Sequence, residues 1–369
     1  MSGVLRRIAL GLVVSLLTLV LLEGIASLGV FVWQTRMNFF PPLPDRAHTS
    51  YDPELGWVSR KSDVARDAFG PGVDVTTNAQ GLRNARNFSR EVPEGKTRVV
   101  CLGDSFTLGF RVADGDSWPA RLERACPRIE APNMGQSGYG IDQDYLWYQR
   151  DGGALDHQLL VLAFIDHDLD RVRHADLLGY GKPVLRLVDG QLTVQNVPVP
   201  RASYLSPALT QNVQALGYLR MVELTQKVAG RWFPRPAKAE RWPLDDEQTR
   251  ALDEAIILAL RESATKRGSA LVLVHLPHLE LREPSMLAPV SASALALLDR
   301  IRAAGVPVVD LTADFAALPD AERRALFQEK TLDQGAAGHY SPAGNEFVAR
   351  AVATALTRLG MLPADACRE

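Results

Sequence analysis

The sequence predicts an α/β protein, a three-layer sandwich on a five-stranded parallel sheet, preceded by one N-terminal transmembrane helix. Three observations lead there. From Arg98 onward, short and nearly uncharged apolar runs alternate with helical segments. Strands of that kind belong to a parallel sheet covered by helices on both faces, because neither face meets water. Near the N-terminus, Ile8 to Trp33 spans 26 residues with a single charge, Glu23. The whole chain of 369 residues is 46% hydrophobic and 23% charged, a globular balance that supports a sizeable core.

As a helix, residues 8–33 would be about 39 Å long, enough to cross a bilayer core of about 30 Å with some tilt. Arg6 and Arg7 precede this stretch. They favour the cytoplasm and place the chain beyond Trp33 on the far side. A cleaved signal peptide is the competing reading, with Gly24-Ile25-Ala26 as a small-residue cleavage site. Against cleavage, Ser27 to Trp33 would remain as an exposed apolar N-terminus. Residues 1–36 are therefore read as cytoplasmic tip and anchor. Residues 37–95 form a Pro-rich stalk and a loop-and-strand lead-in, and 96–369 a single domain.

Within that domain, Arg98–Leu102 is the first expected strand. A helix is expected from Ser117-Trp118-Pro119 to about Ala125, with Pro tolerated in the first turn. Ile129–Asn133, Leu159–Phe164, Ala270–Leu276 and Val306–Asp310 are the next four strands. Helices are expected from about Asp245 to Lys266 and from Pro342 to about Arg358. The gap between the third and fourth strands is too long for one crossover. Residues 175–243 are read as an insertion at the sheet rim, opening with a hairpin turned at Asp189-Gly190.

Charge and cysteine content narrow the function. A net charge of -2 offers no basic field for nucleic acid. Cys101, Cys126 and Cys367 allow at most one disulfide, for which Cys126 with Cys367 is one candidate pair, and no four-cysteine zinc site. No cofactor or metal is expected. Asp166, Asp168 and Asp170 with His167 and His174 match no compact ligand set and read as a solvated loop.

The sharpest motif is Gly103-Asp104-Ser105-Phe106-Thr107-Leu108-Gly109, directly after the first strand. Ligands in open α/β sheets bind beyond the carboxyl ends of the strands, where a Ser can present its hydroxyl. A hydroxyl needs a base to become a nucleophile. Gly338-His339-Tyr340-Ser341-Pro342, just before the last helix, offers His339. Taken singly, Ser105 also reads as a helix cap and His339 as a turn residue.

Together these segments resemble the SGNH (GDSL-like) hydrolase family, in its membrane-anchored bacterial form. Gly103-Asp104-Ser105 is similar to the first block, and Asn133-Met134-Gly135-Gln136-Ser137-Gly138-Tyr139-Gly140 to the second. His339 with the Ser-Pro-Ala-Gly that begins two residues later is similar to the last block. Asp52-Pro53-Glu54-Leu55-Gly56-Trp57 and Asn78-Ala79-Gln80-Gly81-Leu82-Arg83 resemble segments that precede the first block in anchored members. The resemblance covers about 50–175 and 245–360. It implies a flavodoxin-like sheet, Ser105 as nucleophile, His339 as general base, and the amides of Ser105 and Gly138 as oxyanion donors.

Two departures stand out. The third block normally reads Gly-x-Asn-Asp. Aligning Asp168 with its Asp puts His167 at the Asn, where an imidazole N–H either takes over the third oxyanion donor or sits in solvent. The acid usually found two or three residues before the His is Ala336 or Ala337 here. Asp333 is the nearest carboxylate; otherwise the site is a Ser–His dyad. The expected activity is an acyl-ester hydrolase acting on a small-molecule or carbohydrate ester. The chain would sit in the bacterial inner membrane through residues 8–33, with its C-terminal domain in the periplasm. The alternatives are an O-acyltransferase acting on cell-surface polysaccharide and a non-catalytic binding protein. Oligomeric state is not legible.

Overall fold

A computed structural model describes residues 3–37, 48–177, 180–200, 244–279, 287–328, 338–363 and 365–367. Two compact units make up the described chain. One holds a helix spanning Gly3–Met37. Its stretch Gly3–Ala26 has a mean hydropathy of 2.5 and is long and apolar enough to cross a bilayer. A signal sequence meets the same test of length and composition.

The second unit is built on a parallel sheet. Its strands are Thr97–Gly103, Ile129–Glu130 continued by Asn133–Gly135, Leu159–Phe164, Ala270–His275 and Val308–Asp310. The spatial order runs fifth, fourth, third, first, second, and every pairing is parallel. The expected second strand is broken in two at Ala131-Pro132, where proline has no N–H for the ladder. The carbonyl of Pro132 still accepts from the Cys101 amide at 3.0 Å.

Alternation along each strand feeds two cores. Val100, Leu102, Leu160, Leu162, Leu271 and Leu273 pack with Ile256, Leu260, Leu297 and Ile301. Those partners come from helices Asp246–Lys266 and Ala292–Ala303. Val99, Cys101, Val161, Ala163, Val272 and Val274 face the other way and pack with Leu122, Val348 and Val352. Helices Trp118–Ala125 and Pro342–Arg358 supply that layer. The period of two along each strand thus sorts one run of apolar residues into two helix-covered faces. Asp245 caps the Asp246–Lys266 helix through the Gln248 amide, and Ser341 caps the last helix through Gly344. A Cys126–Cys367 disulfide ties the C-terminal tail to the end of Trp118–Ala125.

Ahead of the sheet, Thr49–Asp52 pairs with Gly56–Ser59, and Asp63–Ala65 with Val75–Thr77. Trp57 in the second of these strands is fully buried. At the rim, Val184–Val188 pairs with Gln191–Gln195 around Asp189-Gly190, both at positive φ. The remainder of the expected insertion, 201–243, lies outside the described residues.

Candidate active site

The carboxyl ends of the strands bring Gly103, Gly135, Phe164, His275 and Asp310 to one rim of the sheet. At Gly103, φ is +147° and a Cβ would stand 2.2 Å from the Ala163 carbonyl and 2.5 Å from Thr107 Oγ1. Only glycine allows the chain to turn there. Asp104 then accepts from the Phe106 amide at 2.8 Å and starts the short helix Ser105–Leu108. Ser105 occupies its first turn.

Other segments hold that helix in place. Strand Asn133–Gly135 runs so close that a Cβ on Gly135 would meet the Leu108 amide at 2.1 Å. Asn133 Nδ2 donates to the Thr107 carbonyl at 3.0 Å. Arg83, from the lead-in, is buried and donates to the carbonyls of Leu108 at 2.9 Å and Val112 at 2.6 Å, and to Gly109. The open carbonyls at the helix end are satisfied in this way. The lead-in also grips the second block: Trp57 Nε1 donates to the Ser137 carbonyl at 2.9 Å, and Tyr139 Oη donates to the Trp57 carbonyl. Gly138 in that loop has φ +81°. The amides of Ser105 and Gly138 donate no hydrogen bond among the described residues.

Ser105 Oγ and His339 Nε2 lie 2.8 Å apart, although 234 positions separate them in sequence. Phe106 stacks on the imidazole at 4.7 Å between centroids, and Phe110 flanks it at 4.9 Å. Gln328 ties the two segments, donating through Nε2 to the Phe110 carbonyl at 2.8 Å and through its amide to the His339 carbonyl at 2.7 Å. Tyr340 Oη donates to the Pro277 carbonyl at 2.6 Å. Asp333 lies outside the described residues.

The third block is a solvated loop only in part, exposing His167, Asp170 and His174 but not Asp166 or Asp168. Asp168 is fully buried; it accepts from the Ile165 amide at 3.0 Å and pairs with Arg171. Asp166 pairs with His275 Nε2 at 2.9 Å and accepts from the Ser291 amide at 2.8 Å. His275 Nδ1 meets Asp310 at 3.0 Å. Burial opposes a charge on His275, but the hydrogen bonds to Asp166 and Asp310 outweigh it and raise its pKa to about 9. His167 is exposed, with its ring 4.9 Å from that of His278. It makes no hydrogen bond to Ser105 among the described residues. Burial and the neighbouring His167 push His278 down to about 4, so its ring is neutral at neutral pH. Asp170 is exposed. No group of three side chains suited to a metal ion occurs among the described residues.

Arg83, Phe110 and Arg171 at this rim escape sequence reasoning in these roles, whereas His275 is legible only as a polar residue at the exit of its strand. Only Arg171 carries a local signal, standing three residues after Asp168 on one helical turn.

Solved structures similar to this chain include a lipase/acylhydrolase from Enterococcus faecalis, at 12% identity and a TM-score of 0.40, covering 71% of this chain and 96% of that one. A GDSL-like lipase from Bacteroides thetaiotaomicron is similar at 12% identity and a TM-score of 0.38, covering 74% and 93%. An alpha/beta hydrolase enzyme from the metagenome of Lake Arreo is similar at 16% identity and a TM-score of 0.39, covering 73% and 97%. No family model matches the chain, and no curated protein does. The chemistry therefore has to be read from the side chains at the rim.

Proposed function

We infer that this chain is a serine acyl-ester hydrolase held in the bacterial inner membrane by its N-terminal helix, with the sheet domain in the periplasm. The observation that carries the reading is the 2.8 Å approach of His339 Nε2 to Ser105 Oγ. The serine hydroxyl donates to the imidazole, which takes the proton as Oγ attacks an ester carbonyl. The amides of Ser105 and Gly138 receive the developing oxyanion, with His167 as a candidate third donor. The imidazolium then protonates the leaving alcohol, and water releases the acyl group by the reverse sequence. Asp333 is the candidate for orienting His339. The substrate is an ester of a small molecule or a carbohydrate.

Two features support the compartment. Arg6 and Arg7 before the apolar helix favour a cytoplasmic N-terminus. The Cys126–Cys367 disulfide suits an oxidising compartment.

The test is labelling of the full-length chain in detergent with a fluorophosphonate. Wild type is expected to label and Ser105→Ala to remain unlabelled. A folded wild type that takes no label would overturn the reading in favour of a binding protein. Release of p-nitrophenol from a short acyl ester, faster on addition of a polysaccharide that becomes acylated, would identify an acyltransferase instead.

A further inference from the structure

Buried charge also adjoins Ser105, whose Oγ lies 3.2 Å from Asp104 Oδ2. Asp104, Asp142, Asp144 and Asp168 are each at most 1% exposed. Arg171 lies among them. Three acceptors converge on its Nη1: Asp168 Oδ1, the Tyr139 carbonyl at 2.6 Å and Asp104 Oδ2 at 3.3 Å. Each belongs to a different part of the site. Asp104 precedes Ser105, Tyr139 comes after Gly138, and Asp168 after His167. The arginine is itself held. Its carbonyl accepts from Lys182 Nζ at 2.9 Å, and that ammonium pairs with Asp142 at 2.6 Å. A Cβ on Gly140 would stand 2.9 Å from Arg171 Cβ, so the backbones meet closely.

We propose that Arg171 is a positioning residue of the ester-cleaving site: its one nitrogen fixes the spacing between the Ser105 turn, the Gly138 loop and the His167 turn. Asp104 and Asp168 are buried carboxyl groups beside a carbonyl oxygen, and without the guanidinium these three acceptors would lose their shared donor. The segments would then separate by fractions of an ångström. Oxyanion donors act through geometry set before the reaction, so such a shift lowers turnover more than substrate binding. Lysine would keep the charge but not the planar reach of the guanidinium.

This inference rests on the serine-ester reading, and one experiment separates the two. Wild type, Arg171→Ala and Arg171→Lys are compared as full-length protein in detergent, by ester turnover and fluorophosphonate labelling, with folding checked by thermal melts. Arg171→Ala is expected to lose about 100-fold in kcat with KM within about threefold, the loss expected for one oxyanion donor. Added guanidinium should restore part of that kcat and leave wild type unchanged, and Arg171→Lys should fall between the two. A folded Arg171→Ala with kcat within about threefold of wild type overturns the inference. So does a loss that neither guanidinium nor lysine repairs, which marks a scaffold role only. If the alanine variant does not fold, the lysine variant decides: lower kcat at constant KM supports the inference, and wild-type kcat overturns it. An inert wild type removes the serine-ester reading and this inference together, whereas an active wild type leaves only the inference at stake.

Discussion

The two flanks of Ser105 solve different problems with different materials. On one side the imidazole of His339 is packed between the rings of Phe106 and Phe110. On the other, Asp104, Asp144 and Asp168 surround Arg171. In the proposed reaction the aromatic side orients a group that gains and loses a proton, and apolar contact does so without fixing its charge. The ionic side orients backbone turns that carry no titrating role, and charge-assisted bonds are the stronger clamp for that. Ser105 stands between the two, its Oγ 2.8 Å from His339 Nε2 and 3.2 Å from Asp104 Oδ2.

His339→Gln should break the aromatic side outright, with kcat falling on the order of 10⁴-fold or more in ester turnover, because no base remains. Phe106→Leu keeps the base and loosens its ring. It should lower kcat by about 10- to 100-fold with little change in KM, the effect of a small misplacement. Equal losses in kcat and KM-governed binding would show that Phe106 contacts substrate instead.

The buried ionic groups of the rim, His275 with Asp166 and Asp310 and then Asp144, are tested by pH. The folded His275 pKa of about 9 stands above its ordinary 6.5, so its bonds to Asp166 and Asp310 stabilise the fold fully below pH 6.5. That contribution, about 3 kcal/mol for such a shift, is lost as pH rises towards 9. Denaturant midpoints of wild type should fall across that window, and those of His275→Gln should not. Asp144 is the smallest case. Both its oxygens are buried and without a hydrogen-bond partner among the described residues, and burial with the charges of Asp104 and Asp142 raises its carboxyl well above the usual 3.8. Its proton is held more tightly in the fold than in the unfolded chain, so this group's contribution to stability falls as pH rises past about 4. Asp144→Asn should melt at or slightly above the wild-type temperature at pH 7 and leave turnover within about twofold. A lower melting point would show that the carboxylate is charged and paired.

Much of the scaffold is legible because it is written in local pattern. The five apolar runs are the five strands, Ser117-Trp118-Pro119 opens a helix with proline in its first turn, and Ser341 caps the helix that starts at Pro342. Ser105 and His339 can be paired on the resemblance of their flanking motifs. The third block reads as solvated in sequence because three acids within five residues look polar; that holds for His167 and Asp170, and fails for Asp166, which is half-buried, and Asp168, which is buried. Their burial depends on Arg171 for Asp168, and on His275 and the Ser291 amide for Asp166. Helix Ala292–Ala303 has no counterpart among the expected elements, its capping Ser291 standing in a stretch without a strong start signal.

By itself the sequence determined the α/β class, the apolar N-terminal segment and the two motifs that carry Ser105 and His339, since each depends on residues close in the chain. Only the tertiary structure decided which buried charges face one another, that Arg83 and Trp57 reach from the lead-in to the Ser105 and Gly138 turns, and that two rings hold His339. Those contacts join positions tens to hundreds of residues apart, and no local pattern encodes which distant atoms will satisfy a buried donor or acceptor.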